Sequence, residues 1–285
     1  MIVVIAGATA TGKSNLALKL AKNFNGYILN GDSRQVYKEL NIGTAKPSIE
    51  EIKKSEIEHR LFGHVSIDEN YNLYQYQKEA FEVLNEKKDQ VTFLVGGTGL
   101  YIDSVVYNYK LQQKNQVIEK REELEKLSIG ELKEKIGEDI VKLNESDRNN
   151  PRRLIRFLER GGQNYEKGEP LKHIYLVLDK DFETIEKNIE KRIEDMFNKG
   201  LLEENQQLFE KGKHEKINTI GYKEFEEFFK GDITLDEVKE RIFVNTRKYA
   251  KRQITWFKRN ENAIWVKDYD GIYNNLKSLI TSLKS

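Results

Sequence analysis

The chain has 285 residues, 38% of them hydrophobic, and its 48 basic and 47 acidic side chains leave a formal net charge of +1. That apolar content can supply the core of one large domain or two small ones, while so small a net charge excludes a global field toward nucleic acid or membrane and confines any basic patch to a local one. Cysteine is absent, excluding disulfides and thiolate metal sites, and no apolar run approaches the ~20 residues of a membrane span, so a cytoplasmic protein without membrane attachment is expected.

In chain order, short β-branched runs alternate with helical stretches. IVVIA (2–6), YIL (27–29), FGHV (62–65), VTFLV (91–95), IYLVL (174–178) and AIWV (263–266) carry apolar residues on both faces, as buried parallel strands do. From 111 to 144 the strand pattern gives way to charged helical sequence in which Leu124, Leu127, Leu132 and Ile136 recur at helical spacing. This predicts a small inserted helical subdomain over 111–144 in a core made of 1–110 and 145–285, the other reading being an exposed helical hairpin on the same core. Helices predicted over 183–211 and 235–259 return the chain to that core. The expected fold class is α/β, a parallel sheet flanked by helices.

The first strand leads directly into GATATGKS, Gly7 to Ser14. The spacing G-x-x-x-x-G-K-S between a strand and the helical run NLALKLAKNF is a full P-loop match. Gly7, Ala8, Thr9, Ala10, Thr11 and Gly12 can turn backbone N–H groups toward phosphate oxygens, Lys13 adds a point charge, and the Ser14 hydroxyl can ligate Mg²⁺. ATP or GTP is the default ligand of such a loop, and a strand ending in a magnesium-binding Asp, or an N-K-x-D for guanine, should accompany it. VTFLV ends instead in GGTG, no N-K-x-D occurs, and IYLVLD reaches Asp179 only far downstream, where capping of the next helix at DFET is the plainer role. A diphosphate that is not a nucleotide's tail is the expected ligand.

Asp32 follows the second strand at the carboxyl edge of the sheet, where open α/β folds place ligands. It could serve as a general base or a magnesium partner there, or only cap a helix. Gly43, Thr44, Lys46 and Pro47 make a rigid cationic turn. Two basic segments suit an RNA partner. In PRRLIRFLER, Arg152, Arg156 and Arg160 share one helical face with Leu154, Ile155 and Leu158 turned away. In TRKYAKRQITWFKR, residues 246–259, Arg247, Lys248, Lys251, Arg252, Lys258 and Arg259 occur without an acid beside Tyr249, Trp256 and Phe257, a stripe able to bind phosphates and stack bases.

GATATGKS, GDSRQVYKELNIGTAKPS, LVGGTGLYI, NPRRLIRFLE, TIGYKEF and TRKYAKRQITWFK, in this order, resemble the tRNA dimethylallyltransferase (tRNA isopentenyltransferase) family from residue 1 to about 260. The resemblance implies P-loop architecture and transfer of the dimethylallyl group of dimethylallyl diphosphate to N6 of adenosine 37 in tRNAs reading codons that begin with U. It implies a loop, Gly7 to Ser14, that holds the donor's diphosphate with Mg²⁺ at Ser14, and a monomer whose insertion grips the anticodon stem. Asp32, Lys13 and Thr11 are the implied catalytic residues. The tRNA contacts implied are Asp32, Ser33, Arg34, Gln35, Thr98, Arg152, Arg153, Leu154, Ile155, Arg156, Arg247 and Arg252. Ala8 and Thr11 stand where the family usually has Pro and Ser, and Lys223 where some members carry Arg. A P-loop kinase of a small metabolite, with Arg121 of the insertion on its lid, and a non-catalytic RNA-binding ATPase are the competing readings.

Overall fold

Six strands, Ile2–Gly7 (β1), Tyr27–Asn30 (β2), His59–Arg60 (β3), Thr92–Gly96 (β4), His173–Leu178 (β5) and Ile264–Val266 (β6), form one sheet in the order β3-β2-β4-β1-β5-β6. Every pairing is parallel, with Ile5 beside Val95 on one flank and Leu176 on the other. This computed structural model describes residues 1–111, 123–143, 145–159, 166–267, 272–273 and 276–278. The central strand β1 is buried along its whole length, which is why its β-branched residues show no alternation.

Five of the six expected strands stand within a residue or two of their sequence positions, and the sixth is displaced. FGHV is not a strand: pairing with β2 stops at Arg60, because Leu61 at φ 62° and Gly63 at φ 55° turn the chain out of the extended conformation. Only Val65 returns to a single bridge, with Tyr37.

The chain forms two compact units, Met1–Val106 with Leu171–Ser285, and Tyr107–Pro170. In the first, Lys13–Asn23 (α1) lays Leu16, Ala17, Leu20 and Ala21 against Val3, Ile5, Phe93 and Leu176 of the sheet. The helices Ile49–Ser55 (α2), Leu73–Glu86 (α3) and Gly99–Val106 (α4) follow, with α3 entered through a capping box in which Asn72 and Gln75 bond reciprocally. A second core is built later in the chain, where the expected 183–211 helix is two helices broken at Gly200, φ 97°. Ile185, Ile189 and Ile193 of one pack with Val238, Ile242 and Ala250 of the last long helix.

The smaller unit's described residues are mainly helical, and it extends beyond 111–144 on both sides. Ile129–Ile136 (α5), Glu145–Arg148 (α6) and Pro151–Glu159 (α7) belong to it. Leu124, Leu132, Ile136 and Leu143 share one core with Leu154, Ile155 and Phe157, and Leu127 packs at its edge. The basic helix α7 supplies nearly half of that core, so it belongs to the insertion. In the larger unit the chain continues through Phe182–Asn198 (α8), Leu201–Glu210 (α9), Glu226–Lys230 (α10) and Leu235–Phe257 (α11), the last capped by Thr234 and Glu237.

Candidate active site

The phosphate loop is held by its own side chains and by Asn188 and Gln253 from elsewhere in the chain. Ala10 at φ 62° and Gly12 at φ 91° put two left-handed turns ahead of α1. The buried Thr11 hydroxyl donates to the Ala8 carbonyl at 2.8 Å, and Lys13 Nζ donates to the same oxygen at 2.6 Å. Thr11 therefore holds the loop from inside and presents no hydroxyl outward. Asn188 of α8 fixes the Ala10 carbonyl at 3.0 Å. One expected cradle amide is already committed, since Thr9 N–H donates to Gln253 Oε1 at 2.8 Å. The amides of Gly12, Lys13 and Ser14 stand in the first turn of α1, where no carbonyl of that helix can reach them and its dipole favours an anion.

Charge converges on this turn. Burial, and then the Arg192 guanidinium, push Lys13 down to about 7, with Asp32 pulling the other way. Burial likewise lowers Arg192, again against the pull of Asp32. Two cations stripped of hydration favour an anion beside them, because it restores what desolvation removed. The sequence analysis missed Arg192, which reads as one of many charges on a Lys/Glu-rich helix. The signal was its place three residues after Ile189 and four before Met196, on the apolar face of α8.

Asp32 sits in a loop held from all sides. The buried Asn30 side chain accepts from Asp32 N–H at 2.9 Å and donates to the carbonyls of Asp32 and Leu61 at 3.0 and 2.9 Å. Tyr76 donates to the Asn30 carbonyl at 2.7 Å. Asp32 Oδ1 accepts from Arg34 N–H at 2.8 Å, a local turn rather than the cap of a helix, which fixes the carboxylate's rotation. Ser33 N–H donates to Thr98 Oγ1 at 3.1 Å and the two hydroxyls lie 3.3 Å apart. Burial, and then Asp32, push Tyr249 up to about 12 against a hydrogen bond to Thr98. Asp32, Ser33 and Thr98 are thus brought together; Arg34 is exposed, and the Gln35 amide is spent on the Thr44 and Ala45 carbonyls at 3.0 and 3.1 Å.

The cationic turn is structural. Lys46 Nζ donates to the carbonyls of Tyr37 and Lys38. The Glu204 carboxylate gathers the Asn41, Ile42 and Gly43 amides and the Tyr222 hydroxyl, the last at 2.6 Å. GYKEF therefore braces NIGTA through Tyr222, while Lys223 is exposed.

The basic segments divide into outer and inner faces. On α11, Lys248, Lys251 and Arg252 are exposed, as are Lys258 and Arg259 just beyond it; Arg247 is ion-paired with Glu186, and Arg252 lies 5.6 Å from the Tyr249 ring. Trp256 and Phe257, expected to stack on bases, turn inward instead. Trp256 Nε1 donates to Asp103 at 2.8 Å and Phe257 is fully buried. On α7, Arg152, Arg153 and Arg156 are exposed, Arg153 paired with Asp147. Leu154 and Ile155 are corrected as tRNA contacts, because their side chains are in the unit's core at 0% and 3% exposure. Arg121 and Arg160 lie outside the described residues. Asp181, not Asp179, caps α8, accepting from Thr184 N–H at 2.7 Å.

A parallel sheet whose central strand feeds a glycine loop and a helix N-terminus defines a P-loop-like α/β protein. The family model described as IPP transferase matches residues 35–260. The tRNA dimethylallyltransferase of Streptococcus thermophilus is 40% identical over 266 residues, covering 90% of this chain and 87% of its own, and that of Lactococcus lactis is 39% identical over 269 residues, covering 90% and 89%. Among solved structures, a tRNA isopentenylpyrophosphate transferase from Bacillus halodurans is similar at TM-score 0.74 and 31% identity, over 99% of this chain and 95% of that one. A eukaryotic dimethylallyltransferase acting on tRNA is similar at 0.76 and 26%, over 94% and 74%. The chain belongs to the IPP transferase family of enzymes. The metabolite-kinase alternative finds no support in these comparisons. Among the described residues no helix is long and apolar enough to cross a membrane.

Proposed function

We propose that this protein transfers the dimethylallyl group of dimethylallyl diphosphate to N6 of adenosine 37 in tRNAs that read codons beginning with U, releasing diphosphate. The observation that carries the reading is the convergence of Lys13, Arg192 and Asp32 at the first turn of α1: two cations for a diphosphate, and one carboxylate for a proton. The names of the relatives supply the donor and acceptor classes.

The exocyclic amine of adenine is a poor nucleophile because its lone pair is delocalised into the ring, so a base that takes a proton as the new bond forms lowers the barrier. As N6 bonds to the allylic carbon and the C–O bond to diphosphate breaks, Asp32 accepts the N6 proton. Lys13, Arg192 and the amides of Gly12 to Ser14 meet charge that grows on the departing diphosphate, so they stabilise the transition state more than the ground state. Lys13 leaves the Ala8 carbonyl for this purpose, while Thr11 keeps hold of it. The donor set suits Mg²⁺ bound in the manner of P-loops. The exposed Ser14 hydroxyl opens α1, and no cluster of three or more His, Cys, Asp or Glu able to hold a metal occurs among the described residues, so most ligands would be diphosphate oxygens and water. When bound, Mg²⁺ would offset charge on the leaving group.

Adenosine 37 must leave the anticodon-loop stack to reach Asp32. Ser33 and Thr98 flank that carboxylate, and the exposed cations of α11 and of α7 suit tRNA phosphates. Calorimetric titration with dimethylallyl diphosphate and with ATP, each with Mg²⁺, tests the donor. Saturable binding of the isoprenoid, lost in Lys13→Met, is expected; tight ATP binding with no response to the isoprenoid would overturn the reading.

A further inference from the structure

Three inward residues of α11, Tyr249, Gln253 and Trp256, recur at i, i+4 and i+7, the spacing of one helical face. Tyr249 reaches Thr98, and Trp256 reaches Asp103. Gln253 lies between them and is 5% exposed. Its Oε1 accepts from Thr9 N–H at 2.8 Å in the phosphate loop, and its Nε2 donates to the Gly97 carbonyl at 2.8 Å in the loop that carries Thr98. Its partners are one donor and one acceptor, which an amide in this orientation satisfies at any pH and a carboxyl only when protonated.

The Thr9 N–H and the Ala8 carbonyl are two edges of one peptide plane. Lys13 and Thr11 hold the carbonyl edge, and Gln253 holds the opposite one. When Lys13 turns to a diphosphate, the carbonyl edge keeps only Thr11, and Gln253 restrains this peptide from outside the loop, as Asn188 restrains the Ala10 carbonyl. The second half of the side chain fixes Gly97, next to the residue whose hydroxyl meets Ser33. The fit is close: a Cβ on Gly97 would lie 2.2 Å from Gln253 Nε2, and one on Gly99 would lie 2.1 Å from the Trp256 ring. These glycines are needed so that α11 can approach the loop.

We propose that Gln253 is a positioning residue that holds the phosphate loop and the Gly97–Thr98 loop in one register, so that donor and acceptor meet at a fixed spacing. The proposal rests on the transfer reading above and adds to it a residue that touches neither substrate. Its two hydrogen bonds are separable by chemistry. Glu at this position accepts from Thr9 in both protonation states but donates to Gly97 only when protonated.

The test is steady-state transfer from dimethylallyl diphosphate to unmodified tRNA between pH 6 and 9, with melting temperatures recorded for each variant. Gln253→Leu is expected to lower kcat on the order of 10- to 100-fold, as a misplacement near 1 Å does, with tRNA affinity within about two-fold of wild type. Gly97→Ala, which displaces the amide from the other side, should reproduce that loss. Gln253→Glu should match Leu at pH 9, and its activity relative to wild type should climb toward pH 6 as the acid regains the donor. A variant that merely unfolds shows no such recovery. A Gln253→Leu enzyme as active as wild type, or a Gln253→Glu ratio flat with pH, would overturn the proposal while wild-type transfer still upheld the functional reading. A wild type that transfers nothing would overturn both.

Discussion

Two helices of this protein carry rows of cations, and they differ in what stands behind the row. Behind Arg152, Arg153 and Arg156, α7 has Leu154, Ile155 and Phe157, an apolar stripe that completes the core of its own unit. Behind Lys248, Lys251 and Arg252, α11 has Tyr249, Gln253 and Trp256, the first two bonded to loops at the site and the third to Asp103 of α4. A cationic row says where a polyanion can land. The residues behind it say whether the helix also shapes the chemistry.

If the loops that α11 holds are where the reaction occurs, loss of the carboxylate among them has the largest effect. Asp32→Ala should lower turnover by about 10²–10⁴-fold, with tRNA affinity in filter binding within a few-fold of wild type. Lys13→Met should abolish use of the donor and yet stabilise the free protein. Burial holds Lys13 down at about 7 in the folded protein, against an ordinary 10.5, so between those values the unfolded chain binds more protons and wild-type stability rises with pH. The melting-temperature advantage of Lys13→Met should therefore be greatest at pH 7 and below and fade toward pH 10.5.

The helix with the apolar backing should respond in stability. Leu154→Ala leaves a cavity in the insertion and should cost about 2–5 kcal/mol in urea unfolding, with donor binding retained. On α11, Trp256→Phe keeps the ring and removes the bond to Asp103, about 1–3 kcal/mol, and should lower kcat more than tRNA affinity. Smallest are the outer cations. Arg252→Ala and Arg152→Ala should each reduce the salt dependence of tRNA binding by about 0.7–0.9 in the log–log slope, leaving kcat at saturating tRNA unchanged.

The strands were legible because a sheet buried on both faces writes continuous apolar runs, and the phosphate loop because its spacing is dictated by backbone geometry. FGHV misled because Leu61 adopts a left-handed turn that its side chain does not advertise. The segments around Asp32, Ser33 and Thr98 were marked by the family resemblance, and the structure supplies what resemblance could not, the hydrogen bonds that join them. Arg192 and Gln253 were missed for a common reason. Each sits in a helix crowded with charge, and its role depends on which loop the helix lies against, a tertiary fact. Tyr249, Gln253 and Trp256 did share a face free of charge, and that uncharged face was the available signal. Leu154 and Ile155 were read both as part of an RNA-binding motif and as residues turned away from its basic face; burial decides for the second.

The central claim is that a phosphate loop here delivers an isoprenoid to an adenine. It is tested most directly by incubating the protein with radiolabelled dimethylallyl diphosphate, Mg²⁺ and an unmodified tRNA bearing A36-A37-A38, beside the same tRNA with A37 replaced by G. Label in the first RNA and none in the second is the predicted result. Label in neither, with ATP hydrolysis or ATP-dependent phosphorylation in its place, would contradict the account and return GATATGKS to the nucleotide-binding loops.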